Sequence, residues 1–141
     1  MASILPILLV LFSNVCYHMI SKSMPEDAHP ALSLLITYLL AAAVTLAAYL
    51  TTRGEESFAA SLQKLNWTSM ALGLVIVGLE LGWILAYRAG WPISIGSLVA
   101  NISLAILLIP IGIFLFKEDF SVTKALGVVA CIFGLVMINK G

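Results

Sequence analysis

Glu80 lies inside the apolar run Ala71–Tyr87, ALGLVIVGLELGWILAY, and no other carboxylate sits within a hydrophobic stretch long enough to cross a bilayer. A charged residue near mid-membrane costs about 3 kcal/mol on insertion scales, so such residues are rare and usually face a polar interior. A carboxyl group held there can take up and release a proton or meet a cation directly. Helical spacings of three, four and seven residues put Gly73, Ile76, Val77, Trp83, Ile84 and Tyr87 beside it. Two aromatic rings thus share its side of the helix, and ring faces attract organic cations. The combination points to a proton- or cation-binding carboxylate in a transport cavity. The alternative is a structural acid, hydrogen-bonded to a neighbouring helix.

Other polar groups fall into stripes. Asn14, Tyr17, His18 and Ser21 share one face of the first apolar segment. Asn14 lies deepest and is expected to face the cavity, whereas His18 reads as a hydrogen-bonding group at the headgroup boundary. Ser94, Ser97 and Asn101 form a second stripe on the fourth segment. The expected substrate- and proton-binding set is therefore Glu80, Trp83, Tyr87, Asn14, Ser97 and Asn101. Gly78 and Gly82 bracket Glu80, which would let a neighbouring backbone approach the carboxylate. Pro110 removes a backbone hydrogen bond and is the expected hinge, with Gly112 beside it. Thr37 is read as bonding its own helix backbone. On the last segment Gly127, Ala130 and Gly134 form a small-residue face, the expected dimer contact.

The elements that must position these groups follow from composition. The chain has 141 residues, 62% hydrophobic and 10% charged, with a mean hydropathy of +1.10. Soluble domains average about a quarter charged, so this is an integral membrane protein. A span needs about 20 largely apolar residues, and five segments qualify: Ile4–Ile20, Pro30–Leu50, Thr68–Tyr87, Pro92–Phe116 and Ser121–Asn139. Backbone groups in lipid must bond internally, and no barrel alternation appears, so the fold class is an all-α integral membrane bundle of five transmembrane helices. In the loop Thr51–Asn66, Phe58, Leu62 and Leu65 recur at helical spacing, predicting a short amphipathic helix on the membrane surface. Ser121 is placed to cap the last helix. MASILPILLV lacks a basic region, so the first segment reads as a retained helix rather than a signal peptide.

Several function classes drop out. Net charge is zero, with no basic stripe to suggest nucleic acid. Cys16 and Cys131 lie in separate apolar runs and suggest neither a disulfide nor a metal site. No nucleophile–base constellation, metal-ligand spacing or phosphate loop is present, so neither an enzyme nor a cofactor is expected.

The C-terminal half resembles the drug/metabolite transporter superfamily. The matching residues are YRAGWPISIGSLVANIS, the KEDFS junction and GVVACIFGLVMIN. Glu118 matches the junction acid, Ser121 the following Ser/Thr, and Gly127 and Gly134 the glycines of the final helix. The N-terminal half fits through its helix count and SNVCYHMISK. The resemblance implies one EamA-like domain over residues 1–141, half of the ten-helix transporters. Small multidrug resistance proteins are similar over the final three helices, but place a carboxylate in their first helix, where this chain has Asn14. A proton-coupling role would here fall to Glu80.

Together these readings predict a secondary transporter of small organic solutes, metabolite or drug-like cation, proton-coupled by alternating access in the cell inner membrane. A flippase for amphipathic substrates and a non-transporting accessory subunit are the alternatives. Five spans put the two chain ends on opposite faces, so an inverted repeat arises by pairing with an upside-down copy. Arg53, Lys64, Lys117 and Lys124 fall on one face and Lys22, Arg88 and Lys140 on the other. So even a split gives little orientation bias. The expected partners are a small-molecule substrate, protons, the lipid bilayer and a second, antiparallel copy of the chain.

Overall fold

A computed structural model of the protein describes residues 4–119 and 121–140, without the side chains of 135 and 138–140. Phe120 of the KEDFS junction lies outside the described residues. The chain forms α1 (Leu5–Lys22), α2 (Pro30–Thr52), α3 (Phe58–Gln63), α4 (Trp67–Arg88), α5 (Ile93–Phe116) and α6 (Val122–Lys140). The five long helices fall where hydropathy places them, with ends moved by one or two residues at most. Proline and polar links stop them there: Pro30 occupies the first turn of α2, where its missing N–H costs nothing.

Four helices, α1, α2, α4 and α5, are long and apolar enough to cross a bilayer. The apolar stretch of α6, Val122–Gly134, is shorter. Large apolar side chains point outward along all of them; Leu74 is 78% and Phe114 80% exposed. Lipid tails cover such surface as well as a protein core would, so a bilayer gives no drive to bury it. This is a multi-pass membrane protein.

Contacts divide the chain into two units, Met1–Gly90 and Trp91–Gly141. In the first, α4 packs against both α1 and α2. Its buried side chains are His18 from α1, Leu34 from α2, and Ile84 and Tyr87 from α4. The C-terminal end of α4 is tied down by Arg88, whose Nη2 donates to the carbonyls of Pro25 (3.1 Å) and Ala28 (2.6 Å) in the α1–α2 link. Gly90 then turns the chain with φ +92°, a conformation that disfavours any residue bearing a Cβ. The predicted loop helix is α3. Ser57 caps it by accepting from the Ala60 N–H (3.3 Å), and Phe58 meets the Tyr49 ring edge-on at 5.9 Å.

In the second unit α5 packs on α6. Helix α5 runs without interruption through Pro110 and ends at Lys117, which is left-handed (φ 54°, ψ 38°). That costs a residue with a Cβ about 1–2 kcal/mol. The turn is held because the N–H groups of Lys117 and Glu118 both return to the Gly112 carbonyl. The Glu118 carboxylate lies over Gly112, where a Cβ would come within 2.8 Å of it. Ser121 caps α6 as predicted, its Oγ accepting from the Lys124 N–H at 3.3 Å.

Candidate functional site

The first unit assembles a carboxyl, three tyrosines, a tryptophan and a histidine from three helices. Glu80 is half-buried on α4. The Tyr38 hydroxyl of α2 faces its carboxyl closely enough to interact, without reaching the geometry of a completed hydrogen bond. The Tyr17 hydroxyl of α1 lies near Ser21 and within electrostatic reach of Glu80, Tyr38 and Tyr87. Both hydroxyls are buried without a completed partner among the described residues. Buried polar groups left so are rare, and a site that handles protons or polar ligands is one reason to retain them.

One turn further along α4, Trp83 stacks on Tyr87 with centroids 5.4 Å apart and planes at 29°. His18 meets the Trp83 ring edge-on at 4.6 Å. Its Nδ1 is 2.7 Å from the Tyr87 hydroxyl, a hydrogen bond between two buried side chains. Lys22 Nζ donates to the Tyr87 carbonyl (3.2 Å) and lies 5.6 Å from the centre of the ring. That carbonyl also accepts the Gly90 N–H at 3.1 Å, so the turn and the lysine together cap the end of α4. Tyr87 is thus held through its hydroxyl, its ring and its backbone. The cluster offers a carboxyl able to hold a proton or cation, hydroxyls that both donate and accept, and aromatic surface for an organic group.

Sequence-predicted residues divide between the two units. Glu80, Trp83 and Tyr87 share this side of α4 as their spacing requires. Asn14, expected in the cavity, is exposed on α1 and donates to the carbonyl of Val10 (3.1 Å), outside the described contacts of the cluster. Ser97 and Asn101 belong to the second unit. The Ser97 hydroxyl is taken by the Ile93 carbonyl (2.7 Å), and Asn101 lines a groove of about 440 Å³ between α5 and α6. That groove is walled by residues such as Ile106, Ile109 and Cys131, with Glu118 and Lys124 also on its lining. Thr37 bonds the Ser33 carbonyl (3.0 Å), as expected.

Two expectations, for Gly78 with Gly82 and for His18, need revision. Among the described residues no neighbour comes within 4 Å of a Cβ built on Gly78 or Gly82, and the group facing Glu80 is the Tyr38 side chain rather than an approaching backbone. Among the described residues nothing lies within 4 Å of a Cβ built on Gly127 or Gly134 either, and Gly127 lines the groove between α5 and α6. His18, read from sequence as a headgroup contact, is 8% exposed and bonded to Tyr87. Tyr17 and Tyr38 were not singled out as site residues at all. Tyr17 shares the polar stripe with Asn14 and His18, which is the one signal that could have found it.

Comparison with known proteins adds one match. A family model described as Solute carrier family 35 covers residues 3–140. No curated protein and no solved structure matches the chain.

Proposed function

The chain belongs to Solute carrier family 35, part of the drug/metabolite transporter superfamily, and on that premise we propose that it is a proton-coupled secondary transporter of small organic solutes rather than an enzyme. One observation carries the reading. Glu80 stands within an apolar helix, faced by buried hydroxyls from two other helices and followed on the same side by Trp83 and Tyr87. An acid so placed is costly in a bilayer unless it serves a pathway. Stacked aromatic faces beside it favour an organic cation as substrate, through ring quadrupole and charge together. Cation and proton then compete for one carboxyl, which couples their movements. Proteoliposomes with an acidic interior test this: they should concentrate an aromatic organic cation, and collapse of the pH gradient should stop the uptake. Uptake indifferent to the gradient would remove proton coupling.

The carrier works by alternating access in the cell inner membrane, with α6 as its fifth span. Five spans put the α1–α2 link and the α2–α4 link on opposite faces, and an inverted second copy supplies the symmetry that such carriers use. The small-residue face of Gly127, Ala130 and Gly134 is the contact surface, and Pro110 is the hinge of α5. The near-even split of basic residues lets either orientation insert. Single cysteines at the exposed positions Asp27 and Glu55, with Cys16 and Cys131 replaced, read this out in intact cells. Each is expected to react with an impermeant reagent in roughly half of the copies. Labelling of one position alone would exclude the antiparallel homodimer.

A further inference from the structure

The groove between α5 and α6 takes no part in the cluster around Glu80. Its walls come from residues spaced three or four apart, Asn101, Ala105, Ile109 and Ile113 on α5 with Gly127 and Cys131 on α6. Its volume of about 440 Å³ falls within the range of ligand pockets, about 300–1,000 Å³. Asn101 and Ile113 are twelve residues apart, which is about 18 Å along the helix. One leaflet of hydrocarbon is about 15 Å deep, half of a core of roughly 30 Å. Charge is confined to one mouth, where α5 stops and α6 starts. Glu118, Asp119 and Lys124 line that mouth, and Lys117 ends α5 outside the lining. The Lys124 ammonium is anchored on the Asp119 backbone carbonyl at 2.6 Å, which leaves it donors for a further acceptor. The Glu118 carboxyl stands over Gly112. Neither acid is ion-paired among the described residues. Inside a bilayer no water fills an apolar groove, so hydrocarbon or another helix must.

We propose that this groove binds one acyl chain of a phospholipid that carries a phosphoethanolamine headgroup. The chain runs from the charged mouth past Ile113, Ile109 and Ala105 and stops at the Asn101 amide. The headgroup phosphate takes the remaining donors of Lys124, and the headgroup ammonium donates to Glu118 and Asp119. Each charge of the zwitterion thus meets its opposite at the mouth. A phosphoglycerol headgroup brings the phosphate without a cation for the two acids. Phosphocholine brings a cation that has no N–H to donate. Both should bind less well. The site does not depend on Glu80 being the proton site. Gly127 belongs also to the contact surface proposed above, whereas Ala130 and Gly134 are off the groove lining. A bound lipid therefore borders a second copy rather than replacing it.

The test needs no substrate. The full chain is reconstituted into vesicles of equal parts phosphatidylethanolamine, phosphatidylcholine and phosphatidylglycerol with identical acyl chains. Native mass spectrometry after mild detergent extraction reads the retained lipid and the number of chains in one spectrum. Wild type should keep one lipid per chain, with phosphatidylethanolamine enriched several-fold over its share of the vesicle. Glu118→Gln and Lys124→Gln remove one charge each and should lower that enrichment a few-fold. Ala105→Phe places a ring in the groove and should abolish retention. Glu55→Gln removes an exposed acid of the first unit and should change nothing. If Ala105→Phe fails to fold, the two charge variants decide. Equal retention of the three lipids, or enrichment unchanged in both charge variants, would overturn the proposal. A dimer free of lipid would give the groove to the second copy and overturn it as well.

Discussion

Replacing Glu80 with glutamine should abolish pH-driven uptake while leaving the helices assembled. Glutamine keeps the length and shape of the side chain and still offers an oxygen to the Tyr38 hydroxyl. It cannot hold an exchangeable proton, and it cannot pair with a cation as a carboxylate does. Neutralising a group inside the membrane also removes a cost of insertion, so expression and thermal stability should hold or improve. Uptake into proteoliposomes under an imposed gradient is expected to fall to the level of empty vesicles. Counterflow of a cation without a gradient should fall as well, because cation and proton share the group. Full gradient-driven uptake by this variant would show that the acid is structural.

The second large effect is expected at Trp83. Its ring is clamped between Tyr87 on one side and the edge of His18 on another, so it needs little ordering when a substrate arrives. Cation–π contacts contribute about 0.5–2 kcal/mol depending on desolvation, with tryptophan the strongest partner. Trp83→Phe keeps a ring and should raise KM for an aromatic organic cation a few-fold. Trp83→Leu loses the ring altogether and should raise it by roughly tenfold, with kcat less affected. Concentration dependence of uptake in both variants separates the two quantities. A fall in kcat alone would instead place Trp83 among the groups that only hold Tyr87 and His18 in position.

Much of the fold was legible because lipid imposes simple rules. Each long apolar run had to be a helix, and Pro30, the YRAGWP turn and Ser121 marked where runs start and stop. The site was legible only along one helix at a time. Glu80, Trp83 and Tyr87 are related by local spacing, which the sequence encodes directly. Tyr17, His18 and Tyr38 come from other helices, and periodicity names a face without naming the face it meets. His18 shows the consequence: its position near a helix end suggested a headgroup, whereas packing of α1 on α4 brings it to the Tyr87 hydroxyl. Asn14 shows the converse. A polar residue deep in a span reads as a cavity group, and one N–H of its amide donates to the Val10 carbonyl one turn earlier, outside the described contacts of the cluster. Gly78 and Gly82 suggested a close helix contact, yet open space there is equally compatible with small residues, which a sequence cannot distinguish.

Proton release from purified protein tests most directly that Glu80 couples proton to substrate. The chain is held in weakly buffered detergent solution with a pH indicator, near the pH at which Glu80 is protonated. An aromatic organic cation is then added. Wild type should release protons in proportion to the cation bound, and Glu80→Gln should release none. Cation binding without proton release, or equal release from both proteins, would contradict the account.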